Sequence, residues 1–337
     1  MISVVCPIYN EERYIASFIE SVLQQDYPKD DLEILLVDGM SKDNTRGIIA
    51  EYSMKYPIFR LVDNPQQTVP YAMNNGIRSA KGAIIIRLDA HAEYPSNYFS
   101  VLVKKLEELE GAENVGGICI TLPCNDTTVA TSIAECLSNK FGMGNSYFRV
   151  GVKEVMSVDT VPFGCFRKTL FDKIGLYDTD MIRNQDDELN GRIIKNGGKI
   201  YLLPEVEIKY YARDRISKVR KMFYQYGLYK PLGNKKLGSP TTIRQFFPFL
   251  FVVGLVLGWI PCVVLPMLWS LYAGVLLIHI MIGTMEGIKS ARKTGKFGSV
   301  LIMPYIFLNM HIFYGIGYLF GIYHIMFNKS LMVKVNR

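Results

Sequence analysis

Two long stretches of this chain lack charge. From Phe246 to Gly283 thirty-eight residues pass without Asp, Glu, Lys or Arg, and from Ser299 to Phe327 another twenty-nine. Such runs exclude a water-exposed surface there. About 20 apolar residues cross a bilayer, so two helices are expected in 246–283, and one helix or a re-entrant hairpin in 299–327, where Gly315, Gly317 and Gly321 allow a bend. Paired C-x-x-C spacings are absent as well. Cys6, Cys119, Cys124, Cys136, Cys165 and Cys262 stand apart, which argues against a zinc site or a disulfide frame and for reduced thiols in the cytosol. The opening "MISVVCPIYNEE" has no basic start and turns polar within ten residues. No secretory leader is expected, and the front domain is expected to face the cytosol.

Acidic residues nearly vanish after residue 208. Residues 1–208 carry 21 basic and 29 acidic side chains, 209–245 carry 10 and 1, and 246–337 carry 7 and 1. In the middle segment Ile216, Val219, Met222, Phe223 and Tyr226 recur at near-helical spacing among Lys and Arg. This pattern predicts a basic amphipathic helix on an anionic membrane surface over 213–245; a bound nucleic acid is not expected. Lys289, Arg292, Lys293 and Lys296 in the stretch "EGIKSARKTGK" are expected to keep that loop cytosolic. A single helix over 299–327 would place Lys329, Lys334 and Arg337 outside, against the same rule, and the sequence leaves this open.

The first ninety residues alternate between short β-rich runs and amphipathic runs. "ISVVC" precedes a helical face of Ile15, Phe18, Ile19, Val22 and Leu23, and "LEILLVD", "IFRLV" and "AIIIRLD" follow with helical stretches between them. Strand and helix in alternation predict an α/β domain with a mostly parallel sheet covered on both faces. Ligands bind such sheets at the carboxyl ends of the strands. Three polar clusters fall there: "PIYNEE", "DGMSKDNT" and "DAHAEYP".

In order and spacing, "VVCPIYNEE", "LLVDGMSKDNT", "AMNNGIRSAKG", "RLDAHAEYP", "VPFGCFRKTLFDKIGLYD" and "RNQDDELNGRI" resemble the family 2 glycosyltransferases, over about residues 1–230. Among them the chain is similar to the membrane-associated glucosyltransferases of succinoglycan-type exopolysaccharide assembly. The resemblance implies a Rossmann-like GT-A catalytic domain over 1–212, the basic interface segment over 213–245 and a transmembrane region over 246–337. It makes Pro7, Tyr9, Asn10 and Glu11 the start of a nucleotide pocket, with Asp38 at the base and Asp89 at the diphosphate. The chain departs from the family at Gly39, where many members carry a second acid, and at Ala83, where an acid often stands. Asn74 and Arg78 are candidate pocket neighbours.

The family's D-x-D triplet is here Asp89-Ala90-His91. Asp89 and His91 are the implied metal ligands, as residues two apart on an extended strand end point the same way. An oxygen and nitrogen donor set favours Mn²⁺ over Mg²⁺. The alternative, in which His91 only hydrogen-bonds the diphosphate or a neighbouring loop while Asp89 binds the cation alone, stays open. The family's "ED" base motif falls on Gln185-Asp186, so the resemblance makes Asp186 the general base, with Asp187 its competitor and Glu188 at the helix start or the acceptor. Asn184 reads as the cap of that helix. Gly164 and Arg167 are implied near the acceptor or donor sugar, and Arg213 and Arg215 near a diphosphate. Where membrane-bound relatives carry Q-x-x-R-W, only Gln225 and Tyr229 match, which argues against a processive polymer synthase.

The activity implied is transfer of one sugar, with inversion, from a UDP-linked donor to a polyprenyl-diphosphate saccharide in exopolysaccharide or capsule assembly. The enzyme would be multi-pass in the inner (plasma) membrane, with its catalytic domain in the cytosol. A polyprenyl-phosphate glycosyltransferase and a non-catalytic membrane subunit are the rivals.

Overall fold

The structure is a computed structural model that describes residues 1–327; Lys329, Lys334 and Arg337 lie outside the described residues. The chain runs β1 (Ile2–Ile8), α1 (Ile15–Leu23), β2 (Leu32–Asp38), α2 (Thr45–Lys55), β3 (Phe59–Asp63), α3 (Val69–Ser79), β4 (Ile84–Arg87), β5 (Ala92–Glu93), α4 (Tyr98–Glu108) and β6 (Ala112–Leu122). Next come α5 (Thr128–Leu137), α6 (Lys140–Met143), α7 (Tyr147–Val150), β7 (Met156–Ser157), β8 (Cys165–Arg167), α8 (Thr169–Ile174), α9 (Gln185–Lys195) and β9 (Lys199–Tyr211). The last are α10 (Ile216–Leu237), α11 (Phe246–Leu257), α12 (Trp259–Val264), α13 (Leu268–Thr294) and α14 (Ser299–Met326).

The strands form one sheet in the order β3-β2-β1-β4-β8-β6-β9-β5, with β7 beside β9. β1 and β2 are buried along their whole length, as near-continuous runs of β-branched and apolar residues require of strands covered on both faces. Parallel pairing holds over β3, β2, β1 and β4. From there it turns antiparallel, at β4 with β8, β8 with β6, and β9 with β5 and β7. The sheet is therefore mixed, parallel over its Rossmann-like half from β3 to β4 and antiparallel beyond. The strand and helix alternation of the first ninety residues does not extend to the strands that complete it.

The chain divides into two compact units. Among the described residues one comprises Met1–Ile120 and Gly151–Tyr210; the other comprises Thr121–Val150 and residues 211–327. The first unit ends at Tyr210, and α5 to α7, which lie within 1–212, belong to the second unit. The reason is apolar: Ile133, Ala134, Cys136 and Leu137 of α5 share a buried cluster with Val219, Met222 and Phe223 of α10 and with Met303, Ile306, Phe307 and Met310 of α14.

That cluster also corrects the reading of the basic segment. The apolar face of α10, expected to meet lipid, is covered by α14 instead. Contact is backbone to backbone: a Cβ added at Gly227 would lie 2.0 Å from the Tyr314 oxygen, and one at Gly317 would lie 2.1 Å from the Tyr224 oxygen. Gly317→Ala is expected to destabilise the chain by about 1–3 kcal/mol through overpacking. A thermal midpoint checks this against Gly254→Ala, where nothing lies within 4 Å of the added atom and no loss is expected.

Among the described residues three helices are long and apolar enough to cross a membrane, Ile243–Val264, Leu268–Thr294 and Ser299–Met326. The last is one continuous helix, so the re-entrant hairpin is not formed. The stretch read as a basic loop is mostly helical too. Its Lys289, Arg292 and Lys293 lie in the last turns of α13, where cations complement the helix C-terminus, and Gly295 at φ 73° ends the helix.

Candidate active site

Apart from Arg213 and Arg215, the geometry that follows lies in the first unit. The loops after β1 and β2 are laced together. The Asn10 N–H donates to Ser41 Oγ at 2.8 Å, the Lys42 N–H to Asn10 Oδ1 at 2.8 Å and the Glu11 N–H to Thr45 Oγ1 at 2.7 Å. Asn10 and Met40 take positive φ at 55° and 60°, strain that such a lock must hold in place. Pro7 is buried in β1 beside Val37. At Gly39 an added Cβ would sit 3.1 Å from Cδ2 of the Tyr9 ring, a tight contact.

Asp38 is fully buried, and its carboxylate is engaged from within. It accepts from the Ser41 N–H at 3.0 Å, from Ser41 Oγ at 2.5 Å and from Arg46 Nη1 at 2.8 Å. Arg46 also reaches Asp63 Oδ1 at 2.9 Å. Arg46 is absent from the residues singled out in the sequence, since its role appears only when β2 and β3 lie side by side.

After β4 the chain does not stay extended. The His91 N–H donates to Asp89 Oδ1 at 3.3 Å and the Ala92 N–H to the Asp89 carbonyl at 3.3 Å. Asp89 and His91 therefore face each other across a turn, and not by strand alternation. His91 Nε2 stands 4.0 Å from Asp89 Oδ1 and 3.0 Å from Oε1 of Glu11, a buried carboxylate. The loop contact left open for His91 is thus present, with Glu11 as its partner. Among the described residues no group of three or more His, Cys, Asp or Glu side chains is arranged to hold a metal ion. One carboxylate and one imidazole fit a cation that takes its remaining ligands from a bound diphosphate and water, the habit of Mg²⁺-type sites.

Across from this turn stands the start of α9. Asn184 occupies the cap position in a left-handed conformation, φ 58°, and its side chain makes no capping hydrogen bond. Asp186 meets the guanidinium of Arg87 through Nη1 and Oδ1. Arg87, at the end of β4, was not singled out in the sequence; within "AIIIRLD" it reads as strand. Burial disfavours its charge, but Asp186, Tyr177 and Asp89 together outweigh this and raise its pKa. Burial pushes the Asp186 carboxyl above the ordinary aspartate value; Arg87 opposes this, while Asp187 and Asp89 add to the rise as like charges. Burial and the Asp186 charge likewise push the Tyr177 phenol up.

Neighbouring contacts hold this pair in place. Asn74 brackets the backbone of Tyr177, donating from Nδ2 to its carbonyl at 2.8 Å and accepting its N–H at 2.9 Å, so it positions Tyr177 by both backbone groups. Asn190 ties α9 to the sheet through Asn114 and Thr160, at 2.8 Å each. Glu188 is buried and taken up by Arg192, one turn further along α9, at 2.7 and 2.8 Å. Arg167 is spent on the carbonyls of Ala112 and Leu106 at 2.5 and 2.6 Å. Gly164 is required by packing, since a Cβ there would lie 2.2 Å from Asn114 Oδ1. Arg213 and Arg215 are exposed and belong to the second unit, where Arg215 lies 3.5 Å from Asp214.

The family model of glycosyl transferase family 2 matches residues 3–175. A dolichyl N-acetyl-alpha-D-glucosaminyl phosphate 3-beta-D-2,3-diacetamido-2,3-dideoxy-beta-D-glucuronosyltransferase of Methanococcus voltae is 32% identical over 259 residues, 74% of this chain and 78% of the relative. The succinoglycan biosynthesis protein ExoA of Rhizobium meliloti is 27% identical over 247 residues, 73% of each chain. Among solved structures, the mannosyltransferase PcManGT of Pyrobaculum calidifontis, in complex with GDP-Man and Mn²⁺, aligns with a TM-score of 0.59 at 19% identity, over 96% of this chain and 87% of that one.

Proposed function

This chain belongs to glycosyl transferase family 2, and on that premise we propose that it transfers one sugar, with inversion, from a UDP-linked donor to a saccharide carried on a membrane lipid diphosphate. It is a glycosyltransferase with a GT-A fold. The reading rests above all on the Arg87–Asp186 pair at the start of α9. A carboxylate lifted by burial yet kept ionised by a buried guanidinium is suited to take a proton near neutral pH.

In this reading the loops after β1 and β2 hold the nucleotide, through Pro7, Tyr9, Asn10 and Glu11, with Asp38 at the base in the setting that Ser41 and Arg46 impose. Asp89 and His91 would hold a divalent cation, which when bound neutralises charge on the departing diphosphate; the complex of the Pyrobaculum protein with Mn²⁺ supports this. Glu11 fixes the ring of His91. Asp186 takes the proton of the acceptor hydroxyl as that oxygen attacks the anomeric carbon opposite the diphosphate, so one displacement inverts the centre. Arg87 keeps Asp186 ionised and oriented, and Asp187 is the nearest substitute for it. Support for a lipid-carried acceptor comes from the Methanococcus relative, whose name gives a dolichyl-phosphate-linked sugar, and from the three apolar helices. The catalytic unit would face the cytosol at the inner membrane, serving exopolysaccharide or capsule assembly.

Thermal-shift measurements with UDP-, GDP- and TDP-sugars, each with Mn²⁺ or Mg²⁺, test this. UDP-sugar with Mn²⁺ is expected to raise the midpoint most, since a ligand at 100 times its Kd stabilises by about 2.7 kcal/mol. His91→Asp is expected to bring Mg²⁺ level with Mn²⁺. A shift with GDP- or TDP-sugars alone would refute the donor assignment, and an unchanged metal preference in the variant would remove His91 from the ligand set.

A further inference from the structure

Asp38 ends β2 at the nucleotide loops but offers them no open surface. Its side chain is 0% exposed, and both carboxylate oxygens are engaged, Oδ1 by Ser41 Oγ and Oδ2 by the Ser41 N–H and Arg46 Nη1. To accept a further hydrogen bond from a nucleobase it would have to release one of these. Losing a partner is costly for a buried carboxylate.

Beside it stands an ion pair that does meet solvent. Asp63 is the register partner of Asp38 across the parallel strands β2 and β3, which brings both acids to the carboxyl edge where such sheets bind ligands. Arg46, in the first turn of α2, bridges them through Nη1, at 2.8 Å from Asp38 Oδ2 and 2.9 Å from Asp63 Oδ1. The Arg46 side chain is 35% exposed and that of Asp63 59%. Met40 adds a soft apolar surface, its sulfur 4.0 Å from Arg46 Nη1.

The bridge uses one nitrogen of Arg46 and one oxygen of Asp63. A guanidinium carries five N–H donors and a carboxylate two acceptor oxygens, so Nη2 and Nε of Arg46 and Oδ2 of Asp63 stay outside any hydrogen bond among the described residues. A donor beside an acceptor complements a carbonyl beside a ring N–H. Uracil presents such an edge, with O4 next to N3–H.

We propose that Arg46 and Asp63 read the nucleobase of the donor, Asp63 accepting its ring N–H and Arg46 donating to the adjacent carbonyl, while Asp38 is a positioning residue that holds Arg46. The inference rests on the UDP-donor reading above and deepens it, passing the base contact that resemblance gives to Asp38 on to the pair that Asp38 orients.

Binding of UDP and of N3-methyl-UDP, whose ring N–H is replaced by a methyl group, to the full chain with Mn²⁺ tests it. The parent is expected to bind UDP about 10- to 100-fold more tightly than the methylated analogue, as loss of a hydrogen bond to a charged group implies. Asp63→Ala is expected to bind UDP more weakly by a similar factor and to lose the distinction between the two nucleotides. Asp38→Asn is expected to keep that distinction. Inorganic diphosphate with Mn²⁺ has no base and should bind the parent and Asp63→Ala alike. An Asp63→Ala chain that still discriminates, or one that loses inorganic diphosphate equally, overturns the proposal; so does loss of discrimination in Asp38→Asn alone, which would return the base contact to Asp38. A parent that binds GDP and not UDP refutes the donor reading instead. Guanine also sets a carbonyl beside a ring N–H, so Asp63→Ala must then weaken GDP for the inference to stand.

Discussion

Asp186→Asn is expected to lower kcat by about 10³-fold, within the range a positioned general base supplies, while donor binding by thermal shift stays near that of the parent. The amide keeps the shape and loses the ability to accept a proton at neutral pH. Because burial raises the Asp186 carboxyl, the parent's rate is expected to fall on acidification at a pH above the ordinary aspartate range. The variant's residual rate should lack that limb. Steady-state rates across pH check both statements. A variant that keeps nearly full turnover would point instead to an acceptor that needs little help from a base, such as a lipid phosphate, and would overturn the role given to Asp186.

Arg87→Met should do damage of two kinds. Arg87 is 7% exposed and its partner is a part-buried carboxylate, so removing it strands a charge, at a cost of about 3–5 kcal/mol. A denaturant midpoint reads this. The pH dependence follows from the sign of the shift at Asp186. A carboxyl whose folded pKa lies above its unfolded value binds its proton more tightly when folded, so its contribution is most favourable at low pH and is lost as pH rises through the folded value. Without Arg87 that value rises further. The stability deficit of Arg87→Met is therefore expected to be largest near neutrality and to shrink on acidification, and the acid limb of the rate should move to higher pH. The double variant Arg87→Met with Asp186→Asn should regain stability without regaining turnover, a non-additivity typical of residues in contact. Independent losses that simply add would mean the two do not act as a pair.

The candidate site was legible in parts that differ in kind. Asp89, His91 and Asp186 could be named because each belongs to a short motif whose spacing resembles a family pattern. Their partners could not. Glu11 meets His91 from eighty residues away in the chain, Arg87 meets Asp186 from ninety-nine, and neither pair has any local periodicity to announce it. Arg87 was further concealed by its place at the end of an apolar strand. The side-by-side placement of Asp89 and His91 was expected from an extended strand; the structure achieves it with a turn.

The sequence by itself determined that this is an α/β catalytic front of glycosyltransferase type followed by charge-free helices, because strand and helix periodicity, motif order and runs without charge are all local properties of the chain. Only the tertiary structure decided what covers each apolar face. Val219, Met222 and Phe223 pack on α14, while Leu271 and Leu277, no more apolar in kind, stand exposed. Apolar burial is non-directional and is satisfied equally by lipid or by another helix. What separates the two is close approach at Gly227, Gly317 and Gly321, a three-dimensional fit that spacing along the chain cannot express.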